Sequence, residues 1–250
     1  MHTVPDLTHF EYKAKNAIRA FWGNPDALRQ SGMQTAGDPG AWRHFRPCKN
    51  LAGFEELMAD IVRANGLEEA DIYRKNGLLT LPGYFRPSKF WSLLIFFRGH
   101  LVALMEFKFQ TAPSFGNNFN LRIEQAVGSA YDFWAAYRQG LFGTQQQPFV
   151  GWMILVEESP ESDEPVGDKS PHFPVCDEFR NVSYLRRYDL FCKKLMKEQL
   201  YSAAAVVSSP REAMTSGEYS DVSVDTSLKS FVTRFAAHIA ATAANMAASL

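Results

Sequence analysis

Apolar and polar positions along the chain alternate between two periods, and the switches between them outline an α/β protein. Phe10, Ala14, Ala17, Ile18 and Phe21 recur at helical spacing, predicting a helix over 10–22. A polar, glycine-containing stretch from Gly23 to Asn50 reads as loop-rich. Phe54, Leu57, Met58, Ile61 and Val62 form the stripe of a second helix, stopped by Asn65-Gly66. Turn-forming residues around Asn76-Gly77 and Pro82-Gly83 then lead into two apolar runs, Leu93–Phe97 and Leu101–Phe109, joined by Arg98-Gly99 as a hairpin. The polar segment 111–122 reads as a loop, 123–137 as an amphipathic helix and 149–156 as a buried strand. Prolines 160, 165, 171 and 174 mark a surface excursion over 157–174. A basic helix over 184–200, a strand over 203–207 and a helix over 228–246 complete the pattern. No repeat or interdomain linker is visible, so residues 1–250 are expected to form one α/β domain with a mixed central β-sheet flanked by helices.

One break in this pattern carries chemistry. Glu106-Phe107-Lys108 lies inside an otherwise apolar strand, and strand alternation puts Glu106 and Lys108 on one face. A buried carboxylate and ammonium need each other or a ligand. A hairpin ending in E-x-K is the core of one nuclease design, in which the carboxylate holds a divalent metal on a phosphate and the lysine orients the attacking water. Such sites place an aspartate about one strand earlier, where this chain has Ser92. A neutral hydroxyl is a poorer ligand for a hard cation, so another acid is a candidate to supply charge: Glu55 or Glu56 on the upstream helix, Asp71, or Glu124. The plain alternative for each of these acids is a solvated helix face, and for E-x-K a structural ion pair.

Candidate DNA contacts cluster on either side. Ser114, Asn117, Asn118, Asn120, Arg122 and Glu124 belong to a polar segment leading into a helix; asparagine can pair with adenine edges and arginine with guanine. Arg86 and Lys89 precede the E-x-K hairpin, where a phosphate backbone would pass. Arg186 and Arg187 with Lys193, Lys194 and Lys197 form a further basic cluster, of which Lys193 to Lys197 read as a solubilising helix face.

Composition narrows the options. The formal net charge of -1 rules out a uniformly basic surface, so any nucleic-acid contact rests on local clusters. Three scattered cysteines, Cys48, Cys176 and Cys192, suggest neither a disulfide framework nor zinc, and point to a reducing cytoplasm. His44, His100 and His172 lack metal-ligand spacing, and Gly-x-Ser-x-Gly and phosphate-loop motifs are absent. The N-terminus lacks a secretory pattern, and no apolar run reaches the roughly 18 residues of a membrane span.

Several segments together resemble one family. Residues 81–91 (LPGYFRPSKFW), the E-x-K strand, Pro113-Ser114-Phe115-Gly116-Asn117-Asn118-Phe119-Asn120, Gly128-Ser129-Ala130, Gly151-Trp152, Pro171-His172-Phe173-Pro174 and Arg186-Arg187-Tyr188 are similar to the XhoI family of type II restriction endonucleases, most clearly over 54–210. The resemblance implies a PD-(D/E)xK restriction-endonuclease-like core, Mg2+-dependent cleavage of double-stranded DNA at a palindromic CTCGAG-like site, and a homodimer matching the two-fold target. It also implies departures. The family carries tryptophan-aspartate where this chain has Trp91-Ser92, a small serine where Phe109 stands, and an Asn-Arg-Thr-Glu-Glu-like stretch where Leu121-Arg122-Ile123-Glu124-Gln125 stands. These changes raise the alternative of a DNA-binding homologue with weakened or lost cleavage.

Overall fold

A computed structural model describes residues 5–24, 51–74, 77–113 and 115–248. Ser114 and nearly all of the 23–50 segment lie outside the described residues, as does the side chain of Asn117. Helices α1 (Phe10–Trp22) and α2 (Ala52–Ala64) precede β1 (Asp71–Tyr73), β2 (Thr80–Leu81), β3 (Lys89–Phe90), β4 (Leu93–Phe97) and β5 (His100–Gln110). Then come α3 (Phe115–Arg138), β6 (Phe149–Glu157), the short α4 (Pro160–Asp163), α5 (Tyr184–Lys197), β7 (Ala203–Ser209), the short α6 (Ala213–Ser216), β8 (Ser220–Asp221) and α7 (Leu228–Ala247). No helix among the described residues is long and apolar enough to cross a membrane.

Six strands form one mixed sheet in the order β1-β4-β5-β6-β7-β8, and β2 pairs with β3 as a separate ribbon. The β4–β5 hairpin closes through Arg98 and Gly99, both at positive φ (50° and 79°), the pairing a two-residue turn of matching twist requires. β5, β6 and β7 run parallel, linked by the crossover helices α3 and α5. Both faces are covered, which explains why these strands read as continuous apolar runs. On one face, Ile18, Phe54, Met58, Phe231 and Phe235 from α1, α2 and α7 pack with Met105, Phe107, Phe109 and Leu155. On the other, Phe119, Ala126, Phe133, Tyr188 and Phe191 from α3 and α5 pack with Leu94, Leu104, Trp152 and Ile154.

The expected loop over 111–122 is corrected by the structure: α3 begins at Phe115 and absorbs most of it. Phe115, Phe119, Arg122, Ala126, Ala130 and Phe133 are all buried, a continuous helical stripe that starts eight residues before the predicted helix. Burying two phenylalanines is worth about 3–6 kcal/mol in total. One glycine and three asparagines in a helix cost roughly 2–3 kcal/mol. Packing therefore prevails over the turn-forming composition.

Candidate active site

β5 is the central element of the site, and its alternation decides what faces what. Met105, Phe107 and Phe109 pack under α1, α2 and α7, so Glu106 and Lys108 face the α3–α5 side. In the antiparallel register Leu93 pairs with Met105, which sets Ser92 across from Glu106. On the parallel side, Glu106 neighbours Trp152 of β6. Ser92, just before β4, thus stands opposite the E-x-K carboxylate.

Glu106 is buried, and one of its oxygens collects two ammonium groups. Lys108 Nζ lies 2.7 Å from Oε1 and Lys89 Nζ lies 3.2 Å from the same atom. The other oxygen, Oε2, is buried with no hydrogen-bond partner. Burial works to raise the Glu106 carboxyl, but the charges of Lys108 and Lys89 outweigh it and hold it at about 2. The carboxylate is therefore ionised at any physiological pH. Lys89 moves the other way: burial, helped by the neighbouring Lys108 and Arg86 charges, lowers its ammonium against the opposing pull of Glu106. Nearby Tyr201 is buried, its hydroxyl donates to the Ala126 carbonyl at 3.0 Å, and burial plus the Glu106 charge keep that hydroxyl protonated.

Lys89, a candidate phosphate contact by its place before the hairpin, points inward to the E-x-K carboxylate. Its Nζ also donates to the Phe90 carbonyl at 2.5 Å and lies 4.7 Å from the centre of the Trp91 ring. Trp91 in turn packs edge-on against Phe133 of α3. The available signal was its neighbours: a lysine followed by Phe90-Trp91 at the entrance to a buried hairpin is placed for burial of its stem.

Other predicted residues are distributed unevenly. Ser92 Oγ accepts a hydrogen bond from the Phe107 N–H at 3.1 Å, joining the residue before β4 to β5. Glu55 and Glu56 are not brought to Glu106. They ride on α2, which packs against the opposite face of the sheet; Glu56 pairs with Arg74, and the Arg74 charge also acts on Glu55. Asp71 stands at the start of β1, opposite Phe96 near the hairpin turn, remote in register from Glu106. Arg122, expected to read DNA, is buried on the sheet side of α3 and donates to Gln125 and to the Phe109 carbonyl. Its place in the helical stripe, invisible while 111–122 reads as a loop, is the reason. Asn118, Asn120 and Glu124 lie on the first turns of α3, with Asn120 and Glu124 exposed. Arg86 is partly exposed, and its Nε pairs at 2.8 Å with Asp132, a buried α3 carboxylate that also accepts the Tyr84 and Phe85 N–H groups. Sequence reasoning missed this Asp132 anchor. On the basic face of α5, Arg186 and Lys193 pair with buried Asp189, and Lys194 with Glu178.

No group of three or more acidic, histidine or cysteine side chains among the described residues forms a ready-made metal cage. A small hard cation does not need one. It keeps several waters and takes one or two carboxylates plus substrate phosphates. The bare, buried Oε2 of an ionised Glu106 fits that mode, with neutral Ser92 opposite Glu106 in register.

A mixed sheet, helices on both faces and a buried carboxylate two residues from a lysine on the central strand define a restriction-endonuclease-like protein. The chain belongs to the XhoI restriction endonuclease family: the family model described as "Restriction endonuclease XhoI" matches residues 29–221. Among curated proteins it is similar to the type II restriction enzyme AbrI of Azospirillum brasilense, 53% identical over 170 residues covering 67% of this chain and 76% of the relative. It is also similar to the type II restriction enzyme XhoI of Xanthomonas vasicola, 43% identical over 76% of this chain and 77% of the relative. The type II restriction enzyme BstVI of Geobacillus stearothermophilus is 34% identical over 80% of this chain and 92% of the relative. No solved structure matches the chain significantly.

Proposed function

We propose that this protein is a site-specific deoxyribonuclease of a restriction–modification system. In this reading it hydrolyses double-stranded DNA at a palindromic CTCGAG-like sequence as a cytoplasmic homodimer, with Mg2+ as cofactor and a PD-(D/E)xK-type site. The observation that carries the reading is the Glu106 carboxylate, ionised, clamped through one oxygen by Lys108 and Lys89 and bare at the other. Glu106 would hold the cation, with Ser92 at the position of the missing aspartate. When bound, the cation supplies positive charge to the phosphate and acidifies water at the site. Lys108, fixed by its ion pair, orients the attacking water. Arg86, Asn117, Asn118, Asn120 and Glu124, with Ser114, are the candidate contacts to the duplex.

A plasmid with one CTCGAG site, incubated with Mg2+ or Mn2+ beside a plasmid lacking the site, tests this directly. Discrete cutting at the site is expected, and Glu106→Gln is expected to reduce it by at least about 100-fold, as for loss of a group that organises charge in the transition state. A Glu106→Gln protein that cuts normally would place the chemistry elsewhere.

Ser92 favours a second reading, a DNA-binding homologue with weakened or lost cleavage. An aspartate there keeps an oxygen for the Phe107 N–H while adding a charge beside Glu106. Ser92→Asp is therefore expected to lower the metal concentration needed for cutting. Site-specific binding without cutting by the parent protein, with cutting acquired by Ser92→Asp, would select this second reading.

A further inference from the structure

We propose that Lys89 is a second catalytic lysine, an ammonium that binds the scissile phosphate beside the E-x-K pair. The inference rests on the nuclease reading above and adds a residue to it. Three features of geometry carry it. Lys89 Nζ and Lys108 Nζ converge on the same oxygen of Glu106, so the pair leaves the bare Oε2 for a cation and presents two positive charges along one side of the carboxylate. The Lys89 stem is already immobilised, its ammonium held by the Phe90 carbonyl and lying over the Trp91 ring. The charge balance is unusual: one carboxylate faces two ammonium groups, with the neutral Ser92 opposite it in register, a net positive cluster.

The two lysine side chains on Glu106 are largely withdrawn from solvent (16% and 19% exposed), unlike the more exposed Arg186 and Lys193 on Asp189 (47% and 31%), and two ammonium groups so placed on one carboxylate are unfavourable unless another anion shares them. The phosphodiester is that anion. Fixed cations aimed at a phosphoryl group stabilise the charge that develops during transfer without reorganising at the moment of reaction. Lys89 neither gives nor takes a proton in this role: water adds to phosphorus, the P–O ester bond opposite breaks with its electron pair leaving on the sugar oxygen, that oxygen ends with a proton the water gives up, and the ammonium stays charged throughout.

The test uses the full chain, Lys89→Met and Lys89→Arg, and two measurements. The first is affinity, in Ca2+, for duplexes carrying a neutral methylphosphonate at each phosphate of the CTCGAG site in turn. At one phosphate, neutralisation is expected to weaken the parent protein by about tenfold while leaving Lys89→Met nearly unchanged, as for partners of one charged contact. Equal losses at every phosphate would overturn the proposal whether or not the protein cuts DNA. The second is the single-turnover rate beside Mn2+ affinity by calorimetry. Lys89→Met is expected to cut about 100-fold more slowly, with Lys89→Arg retaining more of the rate, yet to bind Mn2+ at least as tightly because a competing ammonium has left Glu106. Weaker Mn2+ binding, with the rate restored at high metal, would make Lys89 only a positioning residue and overturn the catalytic role. Failure of the parent to cut, with the methylphosphonate coupling intact, would count against the nuclease reading and not against the lysine–phosphate contact. Absence of any site-specific binding would overturn both.

Discussion

Glu55 is half-buried on α2, and burial, only partly offset by the Arg74 charge, pushes its carboxyl up to about 7. The folded protein then holds this proton more tightly than the unfolded chain. The group's contribution is full below the ordinary carboxyl range near 4.5 and is lost as pH rises through 7. Glu55→Gln is expected to raise stability at pH 8 by about 1–2 kcal/mol, discounted for partial exposure, and to change little at pH 5. Urea unfolding of both proteins at the two pH values checks it; an equal effect at both would exclude the protonation argument. Because Glu55 lies on the face of the sheet away from Glu106, the same variant is expected to retain any DNA cleavage. Glu106 shows the contrary sign. Its lysines hold it at about 2, so its contribution is present above the ordinary carboxyl range and is lost only as pH falls toward 2. Two carboxylates with opposite shifts separate a residue of the candidate site from one that packs a helix.

At the scale of elements, the segment between β2 and β3 works as a strut that delivers Lys89. Asp132 of α3 accepts the Tyr84 and Phe85 N–H groups and pairs with Arg86, while Phe85 stacks on Tyr131 at 5.9 Å between centroids. Gly83 lies so close that a Cβ there would overlap the Asp132 carboxylate and come within 2.9 Å of Arg86. Gly83→Ala is expected to destabilise the protein by about 1–3 kcal/mol. It is also expected to slow cleavage more than it weakens DNA binding, because the displaced turn carries Lys89. A normal cleavage rate in that variant would show that the strut does not position the lysine. At this scale the sequence was a good guide to the buried helices and central strands, whose apolar periods are long and regular. It failed at α3, where Gly116 and three asparagines mask a stripe that only the aromatic partners Tyr184 and Tyr188 make visible.

The whole molecule carries a formal net charge of -1, so under the proposed function attraction to DNA is expected from local basic clusters, not from the molecule as a whole. If the proposed function holds, a two-fold target calls for a two-fold protein. Sedimentation is expected to give about twice the 28.2 kDa chain mass, and affinity for the CTCGAG duplex is expected to fall steeply with salt. A monomer whose binding does not respond to salt would contradict both the stoichiometry and the phosphate-based docking.

By itself, the chain's pattern determined the α/β class, the hairpin through Arg98-Gly99 and the shared face of Glu106 and Lys108, because strand alternation and turn chemistry are local rules. It also carried the family resemblance, which rests on contiguous residues. Tertiary structure alone decided that Lys89 turns inward, that Arg122 is buried, that Asp132 anchors the Tyr84–Arg86 turn, and that Glu55 and Glu56 sit across the sheet from Glu106. Each depends on which elements meet over which face, and that is set by the packing of aromatic side chains distant in sequence. The same packing leaves Glu106 Oε2 bare beside two ammonium groups, a juxtaposition of β3 and β5 that no spacing along the chain encodes.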